Sequence, residues 1–235
     1  MVKLSSRLQI VYNMVPKCMT VADVGCDHGY LSISLLENNI AANAICMDVN
    51  KGPLDSAKAN VKEAGLSDRT QFRLSNGLAG LSSDEADVVC ICGMGGALIQ
   101  RILDAGIDVA RQVECLILEP QSEYKKLRQF LMDSGFIIDD ENLCTEENKI
   151  YPIMKVHYGN GDKINYSEEQ LEYGPIIIKN SPSLLKTLLQ KNRREYLDII
   201  AKLEKQLSGS SDTPIQTRII ELKHQLELID RIGLD

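Results

Sequence analysis

The clearest indication of the fold is the segment DVGCDHGY at residues 23–30. It begins within an apolar, strand-like run at 21–24 and precedes a helical pattern of apolar residues at 31–36. Gly25 lets the backbone turn sharply toward a ligand, and a helix that begins after Gly29 presents free amide N–H groups. The segment departs from the G-x-G-x-x-G nucleotide fingerprint, because Asp27 at the second glycine position would repel a pyrophosphate. A carboxylate at that position favours a ligand that carries a positive charge.

Outward from this segment, strand and helix patterns alternate along the chain as far as residue 158. The alternation predicts an α/β fold with a mostly parallel sheet and helices on both faces. The predicted strands are 21–24, 44–47, 70–74, 87–92, 115–118, 136–138 and 153–156. The predicted helices are 31–36, 53–64, 97–103 and 124–132.

Polar residues or glycines directly follow the predicted strands. Asp48 follows the second strand, where a carboxylate can bind both hydroxyls of a ribose. Asn76 follows the third strand, and its amide can recognise the edge of an adenine. The glycine-rich loop at 93–96 follows the fourth strand and lets backbone carbonyls approach a ligand. Because ligands of open parallel sheets bind at the carboxyl ends of the strands, the set predicts a nucleoside-type cofactor. With the carboxylate of Asp27, S-adenosylmethionine fits this pattern.

A region of different character follows the turn-rich break at 159–162. Apolar residues recur at intervals of three or four over 185–207 and again over 215–229, separated by the loop at 208–212. This spacing predicts an antiparallel helical hairpin of the coiled-coil type. We therefore expect two domains, 1–158 and 159–235. Residues 179–207 carry seven basic and three acidic side chains, although the whole chain has a net charge of −7. The hairpin is interpreted either as a stabilising or dimerisation element or as a contact for phosphates.

Composition excludes several classes of protein. The 235-residue chain is 44% apolar and 25% charged, as is usual for a globular protein. Its apolar runs are much shorter than the roughly 20 residues of a membrane-spanning helix, and its start does not resemble a signal peptide. We therefore expect a cytoplasmic protein that does not associate with membranes. The seven cysteines form no C-x-x-C pair, so free thiols are predicted and a metal site is not.

Five stretches of the chain resemble the bacterial TrmK family of tRNA (adenine-22-N1)-methyltransferases. The similarity runs through residues 1 to about 158, and the appended helical hairpin is also similar to that family. The most distinctive parts are His28-Gly29-Tyr30 after the first glycine and the Gly-Met-Gly-Gly loop. The resembling stretches are LSSRL at 4–8, DVGCDHGYL at 23–31, ICGMGG at 91–96, LEPQ at 118–121, and LR at 127–128 with GF at 135–136.

The resemblance implies a class I Rossmann-like methyltransferase fold with a small α-helical coiled-coil C-terminal domain. It implies S-adenosylmethionine as cofactor, tRNA as partner and methyl transfer to N1 of adenine 22 in the D-arm region. The expected catalytic residues are Asp27, His28 and Gly93. The expected cofactor-binding residues are Arg7, Asp23, Gly25, Cys26, Asp27, Asp48, Val49, Asn76, Gly77, Gly93, Met94 and Gly95. The expected tRNA contacts are Arg7, Lys125, Lys126, Arg128, Lys186, Arg193 and Arg194.

Several alternatives stay open on the sequence alone. Arg7 would pair either with the cofactor carboxylate or with a tRNA phosphate. His28 is interpreted as a proton shuttle or as a buried structural histidine, and Tyr30 is expected in the core rather than in a stack. The methyl group could be transferred to a protein or a small molecule instead of tRNA. Alternatively, the protein is a non-catalytic scaffold that binds a nucleoside. A nicotinamide-dependent dehydrogenase is disfavoured by Asp27. The protein is expected to be a monomer or a weak homodimer.

Overall fold

The chain folds into two compact units, which divide after Asn165 in the computed structural model. The structure describes residues 2–162, 164–207 and 213–233. The division lies seven residues beyond the boundary expected from the turn-rich break. The backbone N–H of Gly159 donates to the carbonyl of Gly135 over 2.9 Å, so the chain is still tied to the first unit beyond residue 158.

The first unit contains a seven-stranded sheet with the strand order β3-β2-β1-β4-β5-β7-β6. β1 to β5 run parallel, whereas β7 pairs antiparallel with both β5 and β6. The strand order reverses between β1 and β4, which is the point where ligands of such sheets bind. The strands are β1 (Cys18–Val24), β2 (Ala41–Asp48), β3 (Thr70–Leu74), β4 (Val88–Met94), β5 (Cys115–Pro120), β6 (Phe136–Glu146) and β7 (Lys149–Tyr158).

Helices connect the parallel strands and cover the sheet. Short 3₁₀ turns also occur at Ser67–Arg69 and Gly77–Gly80. Each helix between parallel strands provides the crossover that a parallel pair needs. The helices of this unit are α1 (Ser6–Met14), α2 (Tyr30–Glu37), α3 (Lys51–Glu63), α4 (Gly96–Ala105), α5 (Ile107–Ala110) and α6 (Tyr124–Asp133).

The predicted α/β alternation is confirmed, and the main differences lie at the two ends of the unit. Helix α1 was not predicted; the hydroxyl of Ser5 accepts from the backbone N–H of Leu8, and Val11 and Met14 are buried in the core. β6 and β7 are much longer than the predicted strands and form an antiparallel hairpin. Most of β6 is polar, so its extension depends on pairing with β7 rather than on its own apolar pattern.

The cysteines behave as small apolar residues, as predicted. Cys46, Cys90 and Cys115 are buried within β2, β4 and β5, and every cysteine of the chain is a free thiol. A buried free cysteine packs as a small hydrophobic residue. These three cysteines belong to the apolar interior of the sheet, and the packing of that interior fixes the positions of the strand ends.

The second unit is helical. The apolar residues of α9 and α10 meet in a cluster around Ile200, Ile219 and Leu222. The loop expected at 208–212 lies outside the described residues, and the supercoiling of a coiled coil stays a prediction. Within the described residues, none of the helices is long and apolar enough to cross a membrane. The helices are α7 (Glu168–Tyr173), α8 (Pro175–Asn180), α9 (Ser183–Leu207) and α10 (Thr213–Ile232).

Candidate active site

A cavity of about 480 Å³ lies at the carboxyl ends of β1, β2 and β4. This volume is in the range of small-molecule and cofactor sites. Eleven of the twelve predicted cofactor-binding residues line it, namely Arg7, Asp23, Gly25, Cys26, Asp27, Asp48, Val49, Asn76, Gly77, Gly93 and Met94. The twelfth, Gly95, precedes α4 as its N-cap and does not belong to the described lining.

The loop after β1 is held against the end of β2. The backbone N–H groups of Gly25 and Cys26 both donate to the carbonyl of Met47, over 2.8 and 3.0 Å. Gly25 has a φ of +77°, and a Cβ there would lie 2.3 Å from the Cε of Met94. Because a side chain would be both strained and in contact with Met94, the glycine keeps this corner of the cavity open.

Asp23 is a buried carboxylate at the end of β1. It is 4% exposed and accepts a hydrogen bond from the hydroxyl of Ser32 in α2 over 2.8 Å. Burial raises its pKa to about 6, although the hydrogen bonds from Ser32 oppose that rise. A buried carboxylate with so high a pKa favours a nearby positive charge, which would lower the cost of ionisation.

The raised pKa of Asp23 predicts a pH-dependent stability difference from an Asp23→Asn variant. The folded carboxyl titrates at about 6 and an unperturbed one at 3.8, so the folded protein binds more protons between these values. The contribution of Asp23 to stability therefore falls as pH rises from about 4 to 6, by up to about 3 kcal/mol. The neutral asparagine has no such dependence. We expect the free energy of unfolding of the variant, relative to the parent, to increase over this range in urea titrations. A pH-independent difference would contradict the assignment.

Asp48 ends β2 and is almost buried, with 9% of its surface exposed. Its Oδ1 accepts from the backbone N–H of Asn50 over 2.7 Å, which orients the carboxylate at the start of α3. Asp48 lines the cavity together with Val49 and Asn76. A carboxylate fixed in this way is suited to the hydroxyls of a ribose.

Glu119, at the end of β5, is a site residue that we did not predict. It is 2% exposed, and its Oε2 accepts from the backbone N–H of Gly93 over 2.7 Å. Burial raises the pKa of Glu119, and the nearby guanidinium of Arg7 opposes that rise. Glu119 follows the fifth predicted strand directly, so the strand-end argument used for Asp48 could have found it.

Arg7 joins two carboxylates of the first unit. Its Nη1 lies 3.2 Å from the carboxylate of Glu119, its Nε donates to Glu146, and its guanidinium stacks over the ring of Tyr151. Both expectations for Arg7 involved an external anion. Two internal carboxylates already neutralise this guanidinium at the wall of the cavity, so we assign it to holding Glu119, and thereby Gly93, in place.

His28 and Tyr30 lie at the cavity rather than in the core. The side chain of His28 is 49% exposed and Tyr30 is 39% exposed. The prediction that Tyr30 packs in the core is therefore wrong, as is the buried reading of His28. His28 belongs to the loop that enters α2, and Tyr30 is the first residue of that helix. That position exposes the rings while the neighbouring Leu31 is buried.

Arg128 cannot serve as the predicted phosphate contact. It is 1% exposed, and its Nε lies 2.8 Å from the Oε1 of Glu141, which is also buried. The helical pattern of α6 places this position on the face toward β6. The prediction failed because arginine was read as a surface residue, whereas a partner on another element compensates its burial.

The other predicted tRNA contacts lie at the surface. Lys126 is exposed beside Glu123, and Lys125 borders a shallow depression on α6. On α9, Lys186 and Arg194 are exposed. Arg193 pairs with Asp230 of α10, so part of its charge is neutralised.

The cavity chemistry fits a positively charged nucleoside. Asp23, Asp27, Asp48 and Glu119 all line the cavity, and Arg7 is already paired with Glu119. The excess of carboxylates suits the ammonium and sulfonium groups of S-adenosylmethionine and disfavours a pyrophosphate. Asp48, Val49 and Asn76 would hold its nucleoside, and Asp23, Gly25 and Asp27 its methionine part.

The family model described as TrmK, tRNA (adenine(22)-N(1))-methyltransferase, matches residues 21–231. The chain belongs to the TrmK family. It is 33% identical over 98% of its length to the tRNA (adenine(22)-N(1))-methyltransferase of Bacillus subtilis, and the match covers 97% of that relative.

Solved structures agree with membership of the TrmK family. A putative tRNA (m1A22) methyltransferase of Streptococcus pneumoniae in complex with S-adenosyl-L-methionine is 34% identical, with a TM-score of 0.85, over 99% of this chain and all of that one. TrmK of M. capricolum in complex with S-adenosyl-homocysteine is 28% identical, with a TM-score of 0.80, over 97% of this chain and 96% of that one. The class I Rossmann-like fold that the resemblance implied is thereby confirmed.

Proposed function

We propose that this chain transfers a methyl group from S-adenosylmethionine to N1 of adenine 22 in tRNA. The observation that carries the proposal is the acid-lined cavity at the strand-order reversal, within a TrmK-family match that spans residues 21–231. The methyltransferase relatives align over nearly the whole chain. The alternatives, another acceptor or a non-catalytic scaffold, lack such an observation. A tRNA substrate supports a cytoplasmic location.

Bound S-adenosylmethionine supplies an electrophilic methyl group. N1 of a neutral adenine carries a lone pair and no proton, so its alkylation requires no general base. The proton-shuttle role considered for His28 is therefore unnecessary. The residues of this chain act chiefly by positioning the reactants, which can supply much of the rate acceleration.

The alkylated adenine carries a positive charge, and the cavity offers groups that stabilise it. The side chain of Asp27 lines the cavity and is 69% exposed. The backbone of Asp27 adopts a left-handed conformation with a φ of +49°. The backbone of Gly93 is fixed by Glu119, and its φ of +75° interrupts the regular pairing of β4 with β5. We assign the Asp27 carboxylate and the Gly93 carbonyl to stabilising the developing charge.

The test is methylation of unmodified tRNA by the purified protein with S-adenosylmethionine labelled in the methyl group. Digestion of the tRNA should place the label in 1-methyladenosine, and a tRNA with guanine at position 22 should take up none. Label in another nucleoside would redefine the acceptor. Absence of label, with cofactor binding intact by calorimetry, would overturn the tRNA proposal but not the fold.

The exposed cations of α9 are our candidates for contacts with tRNA phosphates. In the same assay, a Lys186→Met/Arg194→Met double variant should raise the KM for tRNA and leave kcat nearly unchanged, because phosphate contacts act on binding. Arg218→Met is the matched control, since Arg218 is also exposed but pairs with Glu221 on α10. An unchanged KM would remove α9 from the tRNA interface.

A further inference from the structure

The rings of His28 and Tyr30 form a stacked pair at the cavity. Their centroids are 5.4 Å apart and their planes differ by 20°. The two residues flank Gly29, whose φ of +71° turns the chain into α2. Both rings are partly exposed, and both line the cavity. Both rings therefore border the space that a ligand would occupy.

The backbone holds this pair rigidly. The amide of Asn60 donates to the carbonyl of His28 over 2.9 Å, and the N–H of Gly29 donates to the carbonyl of Cys26 over 2.7 Å. A Cβ at Gly29 would lie 3.2 Å from the Cβ of Ala57, so α3 packs closely beneath the loop. An exposed surface that is fixed in this way loses little entropy when a ligand stacks on it.

The position of the pair distinguishes it from the nucleoside part of the cofactor site. His28 and Tyr30 follow β1, whereas Asp48, which suits a ribose, ends β2 and Asn76, which suits an adenine, follows β3. On its other side β1 neighbours β4, and the end of β4 meets the β1 loop where Met94 approaches Gly25. The Nε2 of His28 also lies 3.7 Å from the Oδ1 of Asp27, so the pair lies beside the carboxylate that we assign to stabilising charge.

We propose that the stacked His28–Tyr30 pair is the surface on which the acceptor adenine of the tRNA stacks. This inference rests on the proposed function. Base–aromatic stacking is a general mode of binding unpaired nucleotides, and an adenine whose N1 is hidden by pairing must be exposed before it reacts. The electron-rich face of Tyr30 also favours the cationic methylated ring over the neutral one. The pair thus orients the acceptor and stabilises the charge that forms on it.

The test compares Tyr30→Leu with Tyr30→Phe in steady-state methylation of tRNA, alongside cofactor binding by calorimetry. We expect Tyr30→Leu to lower kcat/KM for tRNA by about 5- to 150-fold, the loss of one base–aromatic stack. Tyr30→Phe keeps the ring and should stay within about threefold of the parent. The Kd for S-adenosylmethionine should be the same in all three proteins.

Each other outcome overturns the proposal. Equal activity of the leucine variant would remove the ring from substrate binding, and an equal loss in both variants would assign the role to the hydroxyl. A parallel loss of cofactor affinity would make the pair part of the cofactor site. If Tyr30→Leu does not fold, His28→Leu against His28→Phe makes the same comparison. Absence of methylation by the parent protein would overturn the proposed function, and the acceptor surface with it.

Discussion

Replacement of Arg128 by methionine is expected to lower the free energy of unfolding by about 3–5 kcal/mol. The guanidinium is buried between α6 and β6, where its Nε lies 2.8 Å from the Oε1 of Glu141. Methionine fills much of the volume, but the buried carboxylate of Glu141 then lacks the guanidinium that compensates its charge. Urea denaturation of the purified variant measures the change.

Two controls separate a buried ion pair from a general effect on α6. Lys126→Met, at an exposed position of the same helix, should change stability by less than about 0.5 kcal/mol. The double variant Arg128→Met/Glu141→Leu should recover a large part of the loss, because it removes both buried charges. A single variant as stable as the parent would contradict the buried pair and reopen Arg128 as a tRNA contact.

Replacement of Asp48 by alanine is expected to raise the Kd for S-adenosylmethionine by about 10- to 100-fold. Hydrogen bonds to a charged group contribute about 1.5–3 kcal/mol, and the Asn50 N–H already orients this carboxylate at the cavity. Isothermal titration calorimetry measures the affinity directly.

Asp55→Ala is the matched control for this variant. Asp55 lies on α3 a few residues after Asp48, but its side chain is half exposed and interacts with Lys58. We expect the Kd of the Asp55→Ala variant for S-adenosylmethionine to stay within about twofold of the parent value. An Asp48→Ala protein that binds the cofactor equally well would show that the ribose is held by other residues.

Many residues of the cavity were predictable because their positions depend only on local sequence patterns. Each parallel strand is a short apolar run, and the residue that follows it lies at one edge of the sheet whatever the details of packing. Asp48, Asn76 and Gly93 were predicted in this way, whereas Asp23, which lies within the first predicted strand, was implied by the resemblance to the TrmK family. Glu119 obeys the same rule, although it was not among the predicted site residues.

Burial and pairing partners were less predictable. Arg128 was predicted at the surface but is buried, and Tyr30 was predicted in the core but is exposed at the cavity. Both errors arise because residue type sets only an average exposure. Arg7 was read as a contact for an external anion. Its carboxylate partners, Glu119 and Glu146, lie more than a hundred residues away in the chain.

The alternation of apolar runs, glycines and acids in the sequence alone was sufficient to predict a parallel sheet with an acid-lined cofactor site. These features depend on neighbours within a few residues, and the geometry of parallel strands then brings the strand ends together at one edge of the sheet. Only the tertiary structure revealed that Arg7 holds Glu119, that Arg128 is buried and that His28 and Tyr30 stack at the cavity. Such contacts depend on the packing of elements distant in the chain, because a charge or a ring changes its role with the partner that folding places beside it.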